Sequence, residues 1–283
     1  MAARNGKQNY QKIMRLLFFI SIFLFPGLHC AQAQSDTAFY LSKTIEGDIV
    51  DFTIDNTGNF YLLSRNNQLK KLDANGDSIA VYNAVNTYGD ISFIDVSNPL
   101  KIILYYKDFT TIVEVDRLLR TLNNIDLRNL GIFQVKAIGL AYDNNVWIYD
   151  ELEAKLKRIG DDGTLLDQTT DFRQLFDSVP DPSAIIDQSG LVYLYDTAKG
   201  VYAFDHYGSL KSKVSLLGWK DFDVIDKSLI GRKGNFFYKY QLGKMDIQQE
   251  PVPSAYLNAI KIKISYLAVY VLKKNMLQIY LHR

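Results

Sequence analysis

Asp55-Asn56-Thr57-Gly58-Asn59-Phe60-Tyr61-Leu62-Leu63-Ser64, followed by Gln68-Leu69-Lys70-Lys71-Leu72-Asp73-Ala74-Asn75-Gly76, decides how the rest of the chain reads. It opens on an aspartate whose carboxylate can accept backbone N–H groups of its own turn. An apolar strand follows, then a short loop, a third strand, and a second Asp-led turn that ends on glycine. Glycine suits that last position because positive φ costs little without a Cβ.

The unit recurs. Asp95-Val96-Ser97-Asn98 precedes Ile102-Ile103-Leu104-Tyr105, Asp143-Asn144-Asn145 precedes Val146-Trp147-Ile148-Tyr149, and Asp187-Gln188-Ser189-Gly190 precedes Val192-Tyr193-Leu194-Tyr195. With Asp55 first, these aspartates stand 40, 48 and 44 residues apart. Gly76, Gly163 and Gly208 keep the same beat, 87 and then 45 residues apart, with the skipped step near Leu119. Weaker copies run through Phe222–Ile225, Phe236–Tyr240 and Met245–Ile247, and then through Ile260–Ile264, Val269–Leu272 and Leu277–Leu281. Six copies of about 44 residues predict an all-β, six-bladed propeller. The last copy lacks a fourth strand, and the alternating stretch Ala38–Ile45 is expected to supply it and close the ring.

The pattern Asp-x-x-Gly-x-Phe-Tyr-Leu-Leu, then Gln-Leu-Lys-Lys-Leu-Asp-x-x-Gly, resembles the repeats of NHL-type and related six-bladed propellers over almost all of Ile49 to Arg283. The resemblance implies the fold and no particular activity.

The first residues have the order of a secretory leader. Arg4, Lys7, Lys12 and Arg15 form a basic region, Leu16–Phe25 an apolar run ended by Pro26, and Ala31-Gln32-Ala33 a small-residue cleavage site. Ten helical residues span about 15 Å, half a hydrocarbon core, so a permanent membrane anchor is not expected. The expected division is a leader over 1–33 and a single propeller over 34–283, working in the periplasm or at the cell surface. Lipidation at Cys30 is the weaker alternative, because Gly27, Leu28 and His29 fit a lipobox poorly. Met14 would serve as a start as well as Met1. Cleavage removes four basic residues and leaves 28 Lys+Arg against 31 Asp+Glu, a net −3. Interspersed signs near neutrality carry no footprint for nucleic acid.

Chemistry is sparse. The lactonase pattern among propellers needs metal ligands; Glu46-Gly47 fits one, but Ile138 stands where an asparagine is required, so neither metal nor cofactor is expected. After cleavage the histidines are His206, in a turn, and His282, near the end, both read as solvated surface. Asp73-Ala74-Asn75-Gly76-Asp77 suggests a calcium loop, yet Ala84 occupies the place of the bidentate acid, and a turn is the better reading. Asp108, Asp150 and Asp196 end second strands or the turns after them. They could line a channel mouth, although capping their own turns accounts for them more simply. Loops that cross from one blade to the next share a ring face with the second-to-third-strand loops. They carry Tyr88, Arg128, Phe133, Arg173, Phe176, Trp219 and Lys220, residue types of interface hot spots, though the aromatics could equally plug the seams between blades. The reading is a non-enzymatic exported scaffold that presents this face to an envelope protein or extended ligand, alone or within a complex. A carbohydrate- or small-molecule-processing enzyme on the channel axis is the alternative.

Overall fold

The computed structural model describes residues 39–283. The expected leader, with Cys30 and the cleavage site after Ala33, lies outside the described residues. Strand β1 (Phe39–Glu46) comes first. Blade one is β2 (Ile49–Ile54), β3 (Phe60–Ser64), β4 (Leu69–Leu72) and β5 (Ser78–Tyr82). Blade two is β6 (Phe93–Asp95), β7 (Ile102–Tyr106), β8 (Thr111–Val115) and β9 (Thr121–Asp126). Blade three is β10 (Val135–Leu140), β11 (Val146–Asp150), β12 (Lys155–Ile159) and β13 (Leu165–Gln168). Blade four is β14 (Ala184–Gln188), β15 (Leu191–Asp196), β16 (Gly200–Phe204) and β17 (Leu210–Val214). Blade five is β18 (Lys220–Ile225), β19 (Ser228–Lys233), β20 (Phe236–Gln241) and β21 (Ile247–Pro251). Blade six contains β22 (Lys261–Ile264), β23 (Ala268–Lys273) and β24 (Met276–His282), with β1 antiparallel to β24 from Phe39↔His282 to Glu46↔Met276.

These are six four-stranded sheets, a six-bladed β-propeller. Strands β7, β8, β11 and β16 are buried along their whole length because neighbouring blades cover both of their faces. That is why they read as unbroken apolar runs rather than alternations. Outer strands such as β13 and β21 are exposed. The apolar clusters lie in the seams: Tyr61, Leu63 and Leu69 of blade one meet Ile102, Leu104 and Tyr106 of blade two, and each later seam has its own set. Ile54 and Phe60 meet Ala268 and Tyr270 across the seam between blades six and one.

Both sequence markers hold their places. Asp55 accepts Thr57 N–H and Asn59 N–H at 2.9 Å in its turn, and Gly76, Gly163 and Gly208 sit at φ of 84°, 76° and 82°. Leu119 takes the skipped position at φ 58°. Blade five differs from the three-stranded outline of its weak copy. Its second strand, β19, carries Gly231 and an Arg232 that is buried against Asp221 at 2.8 Å, a polar pattern with no strand signal.

Glycine at 139 answers to packing. A Cβ there would stand 2.4 Å from the Ile185 carbonyl oxygen, so the first strands of blades three and four approach this closely only without a side chain.

Candidate functional site

Tyr88 ends a short helix (Val85–Tyr88) and leans on Tyr106, ring centres 5.2 Å apart, within the seam of blades one and two. Phe176 packs edge-on against Phe172 and Tyr202 at 5.4 and 4.9 Å. Trp219 is 5% exposed, lies over Tyr238 at 5.5 Å, and its main chain exchanges hydrogen bonds with the Tyr195 hydroxyl at 2.7 and 2.9 Å. These three aromatics fill seams. The expectation of Trp219 as a surface anchor is corrected by its burial: its loop is peripheral, but the indole turns back between blades four and five.

The rest of the crossing-loop set is in solvent. Phe133 is 57% exposed, and Lys220 is exposed at the start of β18. Arg128 forks onto Asp126 at 2.8 and 2.7 Å, and Arg173 pairs with Asp171 and donates to the Glu153 carbonyl at 3.1 Å. Hydrogen bonds from these guanidinium groups hold the carboxyls of Asp126 and Asp171 below the ordinary carboxylate value. The same face also exposes Phe109, Leu152, Leu175, Leu217 and Leu257, which the sequence reading passed over. Their signal was available, since each is a large apolar residue inside a connecting loop.

The acids of the second strands do not gather at the channel. Asp108 is exposed in its turn. Asp150, 1% exposed, accepts Leu152 N–H and Glu153 N–H at 3.0 and 3.2 Å and pairs with the buried Lys157 ammonium at 2.7 Å. Asp196 accepts Ala198, Lys199 and Asp181 N–H groups at 2.7, 3.0 and 2.8 Å. Their carboxylates close turns. None of the three lines the channel cavity, whose lining comes from the first strands of the six blades.

That channel is a cavity of about 300 Å³, lined by Thr53, Asp95, Asp187, Asp221, Asp223, Lys261 and Lys263 among apolar neighbours. The charges are matched locally: Asp221 to Arg232 at 2.8 Å, Asp223 to Lys263 at 3.4 Å, and Lys261 to Asp51 at 2.7 Å. Asp95 accepts Leu140 N–H across a seam at 2.8 Å. No group of three or more His, Cys, Asp or Glu that could hold a metal ion occurs among the described residues.

On the face opposite the crossing loops the channel opens into a second space of about 310 Å³. It is lined by Asn56, Ser97, Asn98, Asn144, Gln188, Tyr142 and Asp187, with Pro99, Leu140 and Ala141. Asp187 is the hub. Its Oδ2 accepts Tyr142 N–H and Trp147 Nε1–H, each at 3.0 Å, and its Oδ1 faces His206 Nε2 at 2.9 Å. The His206 ring stacks on Tyr142 with centres 3.9 Å apart and planes 10° from parallel. His206 is therefore not the freely solvated residue expected. It is a partly buried imidazole oriented by a carboxylate, an arrangement that can hold a neighbouring ring or serve a proton transfer. No local spacing marks this group, because it joins residues of blades three and four.

No family model matches this chain, and no curated protein matches it. Among solved structures, virginiamycin B lyase from Staphylococcus aureus superposes with a TM-score of 0.60 at 11% identity, over 86% of this chain and 99% of that one. A streptogramin B lyase gives 0.61 at 13%, over 87% and 88%. The Pan2 WD40 domain of Neurospora crassa gives 0.63 at 9%, over 86% and 95%. At these identities the likeness shows the fold alone. The class is the six-bladed β-propeller, and proteins of unlike function share it.

Proposed function

We propose that this chain is a non-enzymatic exported binding propeller that docks an envelope protein or extended ligand on its crossing-loop face. One observation carries the reading. Phe133 and Leu175 stand exposed on that face beside Arg128 and Arg173, whose guanidinium groups are already held by carboxylates. Aromatic and arginine side chains are enriched at protein interfaces, exposed apolar neighbours extend such a patch, and a side chain already held loses less freedom on binding. Among the described residues no helix is long and apolar enough to cross a membrane. The test is cross-linking of the full chain in its native envelope. The variant Phe133→Asp with Leu175→Asp is expected to lose its cross-linked species while keeping its melting temperature. Undiminished cross-linking in that variant would overturn the reading.

The alternative, a small-molecule-processing enzyme on the channel axis, has the Asp187–His206 pair in its favour. The solved lyases it resembles in fold give the reaction class to try first. Turnover of a streptogramin B that His206→Ala abolishes would establish it.

A further inference from the structure

The channel mouth opposite the crossing loops has a chemistry of its own, and we propose that it binds a neutral saccharide. The space of about 310 Å³ is near the lower end of small-ligand sites. Its polar lining is dominated by carboxamides from four blades: Asn56, Asn98, Asn144 and Gln188. A carboxamide donates and accepts hydrogen bonds without net charge, which matches a hydroxyl that does both. The side-chain amides of Asn56 and Gln188 have no protein partner among the described residues. Asn98 donates to the Asn144 oxygen at 2.7 Å, which leaves the Asn144 amide hydrogens to a ligand.

Charge points the same way. No lysine or arginine lines the mouth itself. Lys101, which donates to the Asn144 carbonyl at 2.6 Å, and Arg158 stand at its edge. They are already paired with Glu114 and Asp161 and with Asp143 and Asp167, so a phosphate or carboxylate finds no unpaired counter-ion there. Its one acid, Asp187, is 2% exposed at the side chain and already engaged by Tyr142 N–H, Trp147 and His206, so it offers little to a cation.

Tyr142 supplies the apolar surface that the C–H face of a sugar ring needs. The residue is 59% exposed; its ring stacks on His206, the Arg158 guanidinium carbon lies 5.6 Å from the ring centre, and the hydroxyl accepts from Arg158 at 3.3 Å. Asp187 holds both the Tyr142 main chain and the His206 ring, so the aromatic platform is set before a ligand arrives. Asp187 and His206 are positioning residues in this site. The inference does not depend on the crossing-loop face.

The experiment is calorimetric titration of the protein with cellohexaose, hexa-N-acetylchitohexaose and maltohexaose at millimolar concentration. At least one is expected to bind. Tyr142→Ala, and Asn56→Ala combined with Gln188→Ala, should each weaken it about tenfold or more. His206→Ala should weaken binding, and His206→Phe, which restores a stacking ring, should recover it. The amide variant replaces exposed side chains and is expected to keep its melting temperature, so its loss of affinity cannot be put down to unfolding. No heat with any of the three oligosaccharides overturns the assignment, as does binding that survives both Tyr142→Ala and the amide pair.

Discussion

Replacing Trp219 with alanine empties the seam between blades four and five. The indole is 5% exposed, lies over Tyr238, and is so close to β19 that a Cβ on Gly231 would stand 2.7 Å from it. Burying a side chain of that size removes roughly 200 Å² from water, and at about 25 cal/mol per Å² this stabilises the fold by about 5 kcal/mol. Partial collapse of Tyr238 into the gap offsets some of that, which puts the expected loss at about 4 kcal/mol. The Tyr195 hydroxyl contacts only the main chain of residue 219, so those hydrogen bonds persist. For a domain of this size the melting temperature should fall by roughly 10 °C, read by calorimetry and by urea unfolding. Phe133→Ala in parallel should change stability by no more than about 0.5 kcal/mol, because that ring is already in solvent. A loss below about 1 kcal/mol for Trp219→Ala would refute the seam assignment and return the indole to the docking face.

Asp150→Ala should cost about 3 kcal/mol in urea unfolding, since it strips the Lys157 ammonium, 4% exposed, of its buried partner; a change near zero would mean that Glu153 alone satisfies it. Gly139→Ala should cost about 3 kcal/mol, because the new methyl group meets the main chain of β14 rather than a movable side chain; wild-type stability would show that the seam can widen freely. Removing β1 should cost several kcal/mol through lost ladder hydrogen bonds and exposure of β24, and an unchanged melting temperature would refute a closing role. Burial raises the Asp55 carboxyl, but hydrogen bonds from Asn59, Thr57 and Tyr61 outweigh it and hold the value below the ordinary 3.8. Its contribution is therefore full above that value and lost as pH falls through the lower folded one; Asp55→Asn should flatten the acid limb of a stability–pH curve, and an unaltered limb would reject this.

The fold was legible because turn chemistry repeats with the blade. Aspartate and glycine recur wherever the backbone needs a carboxylate cap or a positive φ, and even Leu119, which breaks the composition rule, keeps the position. Strand β19 was not legible, since Arg232 and Gly231 answer to Asp221 and to the indole of Trp219, neither of them visible in a local window. Trp219 as a surface anchor was misread for a related reason. A loop position states where the main chain runs, whereas seam geometry decides whether a side chain such as Trp219 turns inward or, like Phe133, outward. Tyr142, Asp187 and His206 meet only because blades three and four are adjacent. Asp187 shares the repeat position of Asp143 and was read as a turn cap; its reach to Tyr142 and His206 appears only across the seam.

The bare Cα at residue 139 also bears on the curvature of the ring. Six wedges must together complete one turn, so opening one seam by the width of a methyl group obliges the other five to narrow. Those five are already packed with interlocked side chains, and they have little slack to give. Crowding at a single pair of inner strands would thus be felt as a distortion around the whole circumference. It would reach the channel mouth, where Leu140 and Asp187 stand on the same two strands.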